Sequence, residues 1–185
     1  MKKLLTTALL GIVLLTVFSC NDEETWDKYE DWRNANQKWL AEQMERTNED
    51  GTPYFTKVVP SWDSQAFVLM KFFNDTTLTQ GNLKPLISST IDVKYKGQLY
   101  NDEPFDSSYL RTFPADSIFR TRLQDVIPGW AIGVMKMHVG DSCEIVIPYQ
   151  YAYGETGSGI INPYSVLKFG IKLAGIPGYE VPVKK

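Results

Sequence analysis

Thr90-Ile91-Asp92-Val93-Lys94-Tyr95-Lys96-Gly97-Gln98-Leu99-Tyr100 alternates apolar and polar residues along its length. Ile91, Val93 and Tyr95 fall on one side, and Asp92, Lys94 and Lys96 on the other. This period of two predicts a strand with one dry face. Asn101-Asp102-Glu103 then turns the chain. Working outward, strands are predicted over Tyr54 to Val59 (stopped by Pro60), Ala66 to Phe73 (stopped by Asn74-Asp75), Ile118 to Arg122, Ser142 to Pro148 and Val166 to Leu173. Among them only Val126 to Met137 changes period. Its Trp130, Val134 and Met137 recur at helical spacing, and Val139-Gly140-Asp141 closes it. Many strands and one short helix predict an α+β fold in which a twisted antiparallel sheet covers a helix.

The 185 residues suffice for one domain with a segment to spare. Hydrophobic residues make up 43% and charged residues 22%, which excludes wholesale disorder and a coiled rod. The net charge is −3, and without Lys2 and Lys3 the balance is 17 basic against 22 acidic residues, or −5. That charge gives nucleic acid nothing to bind, so no nucleic-acid partner is expected. With one histidine and two cysteines, neither a zinc-finger grouping nor a histidine-rich metal site is expected, and no cofactor is. No Gly-rich phosphate loop occurs. Gly154, Gly157 and Gly159 are spaced apart, but without the strand-to-helix context such a loop requires.

Met1-Lys2-Lys3 is a short positive region followed by an apolar run from Leu4 to Phe18. Fifteen residues of helix reach about 23 Å, short of the roughly 30 Å hydrocarbon core, so the run predicts a secretory signal over residues 1–19 rather than a span. Ser19-Cys20 at its end resembles the lipobox of bacterial lipoproteins, which makes Cys20 the candidate lipidation site and places the mature chain on a membrane of the cell envelope. An acylated Cys20 leaves Cys143 alone. It lies in an apolar strand pattern and is expected to be a small core residue.

Residues 20–51 are expected to form a tether and an amphipathic helix, with the folded domain over 52–185. Trp26, Tyr29, Trp32 or Arg33, Asn36, Trp39, Leu40 and Gln43-Met44 recur every three or four residues. Thr25 or Asp22 is the candidate cap, and Asn48-Glu49-Asp50-Gly51 ends the pattern. Two readings of the aromatic stripe stay open: it packs on the following domain, or it forms a dimer or partner surface.

From about Leu86 to Ile176 the ordered motifs resemble the FKBP-type peptidyl-prolyl isomerases. Val93 to Leu99 resembles the family's VHYTGxL strand, and Phe105-Asp106-Ser107-Ser108 matches its FDSS. Val126-Ile127-Pro128-Gly129-Trp130 matches VIxGW, and Gly133 to Gly140 resembles GVxxMxVG. Ile147-Pro148 with Ala152-Tyr153-Gly154 matches IPxxxAYG. Gly159-Ile160-Ile161-Asn162-Pro163 and Leu167-Lys168-Phe169 resemble GIIPP and LxF. The resemblance implies an FKBP-like sheet wrapped around one short helix, the same architecture that periodicity predicts. It also implies an activity, cis–trans isomerisation of X-Pro bonds in polypeptides, and macrolide immunosuppressant-type inhibitors as ligands.

By the same resemblance the catalytic residues are Tyr95, Phe105, Asp106, Ile127, Trp130, Tyr153 and Phe169, with Val126, Ile160, Ile161 and Phe119 completing the substrate site. Trp130 would floor the proline ring and Tyr95, Phe105 and Phe169 wall it. The Ile127 N–H and the Tyr153 hydroxyl would donate to substrate carbonyls. These residue types suit the chemistry. Rotation about an X-Pro amide must cross a barrier of ~20 kcal/mol because it breaks resonance. A dry aromatic pocket favours the twisted amide with no nucleophile. The chain departs from the family pattern in three places: Ser117 stands where one family phenylalanine is expected, the loop from Gly154 to Gly159 is short, and Asn162 replaces a proline. His138 falls outside the pocket motifs and is expected to be structural or solvent-facing. Two alternatives to a folding catalyst are a peptide-holding chaperone on the same fold and an envelope assembly lipoprotein working through its tryptophan helix.

Overall fold

The computed structural model describes residues 22–110 and 116–178, with side chains from residue 25 onward. The signal segment and Cys20 lie outside the described residues. The N-terminal stretch forms two helical segments, α1 (Asp22–Lys28) and α2 (Glu30–Glu45). Strands β1 (Thr56–Val58), β2 (Val68–Phe72), β3 (Thr90–Leu99), β4 (Pro104–Ser107) and β5 (Phe119–Arg122) follow. After the short helix α3 (Pro128–Val134) come β6 (Ser142–Ile147) and β7 (Leu167–Gly175). The strands make one antiparallel sheet in the order β1-β2-β6-β7-β3-β4, with β5 also on β3. The strand that opened the sequence reading is the spine of the sheet. It pairs with β7 from Asp92 to Leu99, with β5 at Thr90–Val93 and with β4 at Lys96–Gln98.

Alternation sorts the sheet into two faces. Val68 and Met70, Ile91 and Val93, Ile145 and Ile147, and Ile171 and Leu173 bury one face in a single core with α3. The helix lies close against β6 because Gly129 and Gly133 face it. A Cβ built at Gly129 would sit 2.2 Å from Ile147 Cγ2, and one at Gly133 would sit 2.5 Å from Ile145 Cδ1. Larger residues at either position would push the helix off the sheet. Leu69 and Val146 turn to the other face and join Phe55 and Val166 in a smaller cluster, covered by Trp39 and Leu40 of α2.

The structure corrects several expectations. The helix predicted over Val126 to Met137 is shorter, ending at Val134. Met137 remains fully buried although it has left the helix, which is why its spacing misled. The N-terminal helix breaks at Tyr29, whose φ/ψ of −107°/21° leaves the helical region. Its most buried side chains are Arg33 and Asn36, not the tryptophans; Trp26 stays 44% exposed. Asn36 explains this seam. Its Oδ1 accepts the Val166 N–H at 2.8 Å, and its Nδ2 donates to the Trp32 carbonyl at 2.8 Å. Trp32 Nε1 donates to Ser165 Oγ at 3.0 Å, and Ser165 in turn donates to the Asn162 carbonyl at 2.7 Å. The Arg33 guanidinium lies 3.4 Å over the Trp26 ring, and Trp26 meets Tyr164 edge-on at 5.5 Å. The stripe therefore packs on this chain's own domain.

Candidate functional site

The inner face of the sheet opens into a cavity beside β3. Tyr95 comes from the middle of this strand, Phe105 and Asp106 from β4, and Phe119 from β5. Trp130 rises from the first turn of α3, and Phe169 reaches in from β7. Their rings meet edge to face, the arrangement that aligns a ring's positive edge with another's negative face. Trp130 lies 5.1 Å from Tyr95 and 5.2 Å from Phe169, and Phe105 lies 5.5 Å from Phe169. Gly97 makes the last contact feasible. A Cβ there would come within 2.9 Å of both Phe105 and Phe169.

The rings enclose a cavity of about 280 Å³. Val126 and Ile127 line one side, at the approach to α3, and Tyr153 lines another. Polar groups sit among these walls. Tyr95 donates its hydroxyl to Asp106 Oδ2 at 2.5 Å, and Asp106 Oδ1 accepts the Ser107 N–H at 2.7 Å. Both Asp106 oxygens are thus engaged, which holds β4 to β3 at the cavity. Burial, and then the negative charge of Asp106, push the Tyr153 hydroxyl above its ordinary value, so it remains a protonated donor. Ile127 stands directly before α3 with an extended φ/ψ of −57°/145°, and its N–H donates to no group among the described residues. The Trp130 Nε1–H is buried and also has no partner there.

The structure brings together Tyr95, Phe105, Asp106, Phe119, Val126, Ile127, Trp130, Tyr153 and Phe169 around one cavity. It does not bring in Ile160 or Ile161. Ile160 points outward, 72% exposed, and Ile161 is buried in the main core. Asp125 lines the cavity and was missed; its place directly before Val126-Ile127 was the available signal. Among the described residues no group of acidic, histidine or cysteine side chains could hold a metal ion. Cys143 is buried, 3.5 Å from Met137 Sδ, and burial pushes its thiol far up, so it is inert. The His138 backbone N–H donates to buried Asp141 at 2.7 Å, and its ring Nδ1 lies 3.8 Å from the same carboxylate, away from the cavity lining.

The model of the FKBP-type peptidyl-prolyl cis-trans isomerase family matches residues 81–174, just over half of the chain. This chain belongs to that family. It is 39% identical over 92 residues to the FKBP-type peptidyl-prolyl cis-trans isomerase FkpA of Escherichia coli K12, across 50% of this chain and 33% of FkpA. It is likewise 39% identical over 93 residues to the peptidyl-prolyl cis-trans isomerase Mip of Coxiella burnetii, across 50% of this chain and 39% of Mip. The chain thus matches only about a third to two fifths of the length of these relatives. The crystal structure of a peptidyl-prolyl cis-trans isomerase from Pseudomonas syringae pv. tomato superposes with a TM-score of 0.63 at 25% identity, covering 80% of this chain and 95% of that one. The structural likeness therefore covers more of the chain than the family-model span.

Proposed function

We propose that this FKBP protein catalyses cis–trans isomerisation of X-Pro bonds in exported polypeptides. The observation that carries the reading is the cavity itself: four rings packed edge to face, with the Ile127 N–H uncommitted at its side. A proline ring gripped by the rings leaves its preceding carbonyl in a dry site. There the planar amide loses the water that favours it, and the twisted form loses less. Ile127 N–H and Tyr153 Oη–H can donate to carbonyls flanking the bond. Asp106, tied to Tyr95, orients the wall and touches no proton transfer. Macrolide immunosuppressant-type inhibitors would compete for the same bowl.

The N-terminal pattern supports a lipid-anchored protein of the cell envelope, acylated at Cys20 after removal of residues 1–19; mass spectrometry of membrane-extracted protein tests this. The activity is tested by NMR exchange on short peptides with different residues before proline. The expected result is acceleration, and Tyr153→Phe should reduce the rate about fivefold, the worth of one hydrogen bond of ~1 kcal/mol. Folded protein that accelerates none of the peptides would leave a peptide-holding role in its place.

A further inference from the structure

Beside the aromatic cavity lies a larger cleft of about 670 Å³, and Val126 lines both. Its floor is a second stripe of the α3 region. Pro128, Ala131, Ile132 and Met135 follow one another at helical spacing, on a different side of the helix from Trp130. Its far wall comes from outside the family-model span: Trp62 and Ala66, in the loop joining β1 to β2. Ile87 closes another side.

Trp62 is 65% exposed, on a loop that carries its own hydrogen bonds. Asp63 Oδ1 accepts the N–H groups of Gln65 at 2.9 Å and Ala66 at 3.3 Å, and Pro60 is buried. A large indole displayed by a pinned loop over an apolar floor is an anchor of the kind that dominates peptide recognition. The charged residues lining the cavity and cleft are Asp106, Asp125 and Asp63, all acidic. An extended chain leaving the cavity past Val126 enters the cleft within a few residues.

We propose that this cleft holds the segment flanking the isomerised proline, an unfolded stretch carrying apolar side chains and a basic residue. The inference rests on the isomerase reading for the neighbouring cavity. It is tested with two peptides, an Ala-Pro tetrapeptide and a longer peptide in which the same Ala-Pro is flanked on both sides by leucine, phenylalanine and one arginine. The longer peptide should show a KM roughly tenfold lower, the worth of one large apolar anchor. Trp62→Ala or Ile87→Ser should bring the two KM values together, and added salt should narrow the gap. Leu78→Ala, an exposed apolar residue lining neither hollow, should keep the wild-type ratio. Equal KM values in the wild type, or a ratio that both cleft substitutions leave intact, would overturn the proposal. Calorimetry with the longer peptide, its proline replaced by alanine, judges the cleft separately. Binding that Trp62→Ala weakens upholds it even if no peptide is turned over, whereas no binding to the wild type rejects it.

Discussion

Trp32 and Trp130 are the same residue put to opposite uses. At the helix seam the Trp32 Nε1–H is bonded to Ser165, the Ser165 hydroxyl passes a further bond to Asn162, and Asn36 beside them uses both ends of its amide. At the cavity the Trp130 Nε1–H is buried and bonded to nothing among the described residues, and its ring faces open space between other rings. A seam that only has to stay shut satisfies its polar groups, because each bare one costs ~1–3 kcal/mol. A cavity built to receive something leaves surface and donors open, and the remaining fold must offset that cost.

The contrast predicts which substitutions damage what. Trp130→Ala should have the largest effect. It removes the cavity floor and a core side chain together, so stability should fall by ~3–5 kcal/mol and peptide isomerisation should collapse, read by urea denaturation and NMR exchange. Asn36→Leu comes next. It strands the Val166 N–H in a dry place and should lower stability by ~1–3 kcal/mol, while the rate per folded molecule stays near wild type. A loss of rate at unchanged stability would show that the seam also tunes the cavity.

The smallest effect concerns pH and separates scaffold from site. Burial pushes the Asp141 carboxyl up, but bonds from the His138 N–H, Thr79 and Asn74 outweigh it, so its folded value lies below the usual carboxylate range. Its contribution to stability is therefore complete above the unfolded value of ~3.9 and is lost as pH falls through the folded one. Tyr153 is shifted upward, so its hydroxyl stays protonated beyond ~10. The melting temperature should drop on acidification toward pH ~3, less so in Asp141→Asn, whereas the rate should stay level from pH ~7 to ~10. A rate that fell across that alkaline range would show Tyr153 ionising early and break the contrast.

The spine strand was legible because one face of β3 is dry along its length, and dryness on one face is what alternation records. Strand β4 was not: it is four residues long, begins with Pro104 and has no fully buried residue, so only its motif marked it. The ordered motifs located the rings of the cavity, since each sits on a strand or helix whose place the topology determines. Ile160 and Ile161 lie on a loop outside the cavity lining, where no strand or helix determines their place. Helical spacing located the seam, with Arg33 and Asn36 in its stripe, but could not rank them above the tryptophans. Asn36 and Arg33 are buried only because partners far along the chain, Val166 and Tyr164, come to meet them. Asp125 and Trp62 carried no periodic signal at all.

The pairing of β2 with β6 has a consequence for where this protein can be cut. Leu69 lies opposite Val146 and Phe72 opposite Cys143, so β2 shields one whole side of β6. A fragment confined to residues 81–174 would keep every ring of the cavity and lose that shield. The peptide groups of Cys143-Glu144-Ile145-Val146-Ile147 would then line an open, apolar sheet edge. Such an edge recruits the same edge of another molecule, so the shortened domain should stick to itself at concentrations where the full chain stays dispersed. On this expectation the β1–β2 hairpin guards the chain against aggregation.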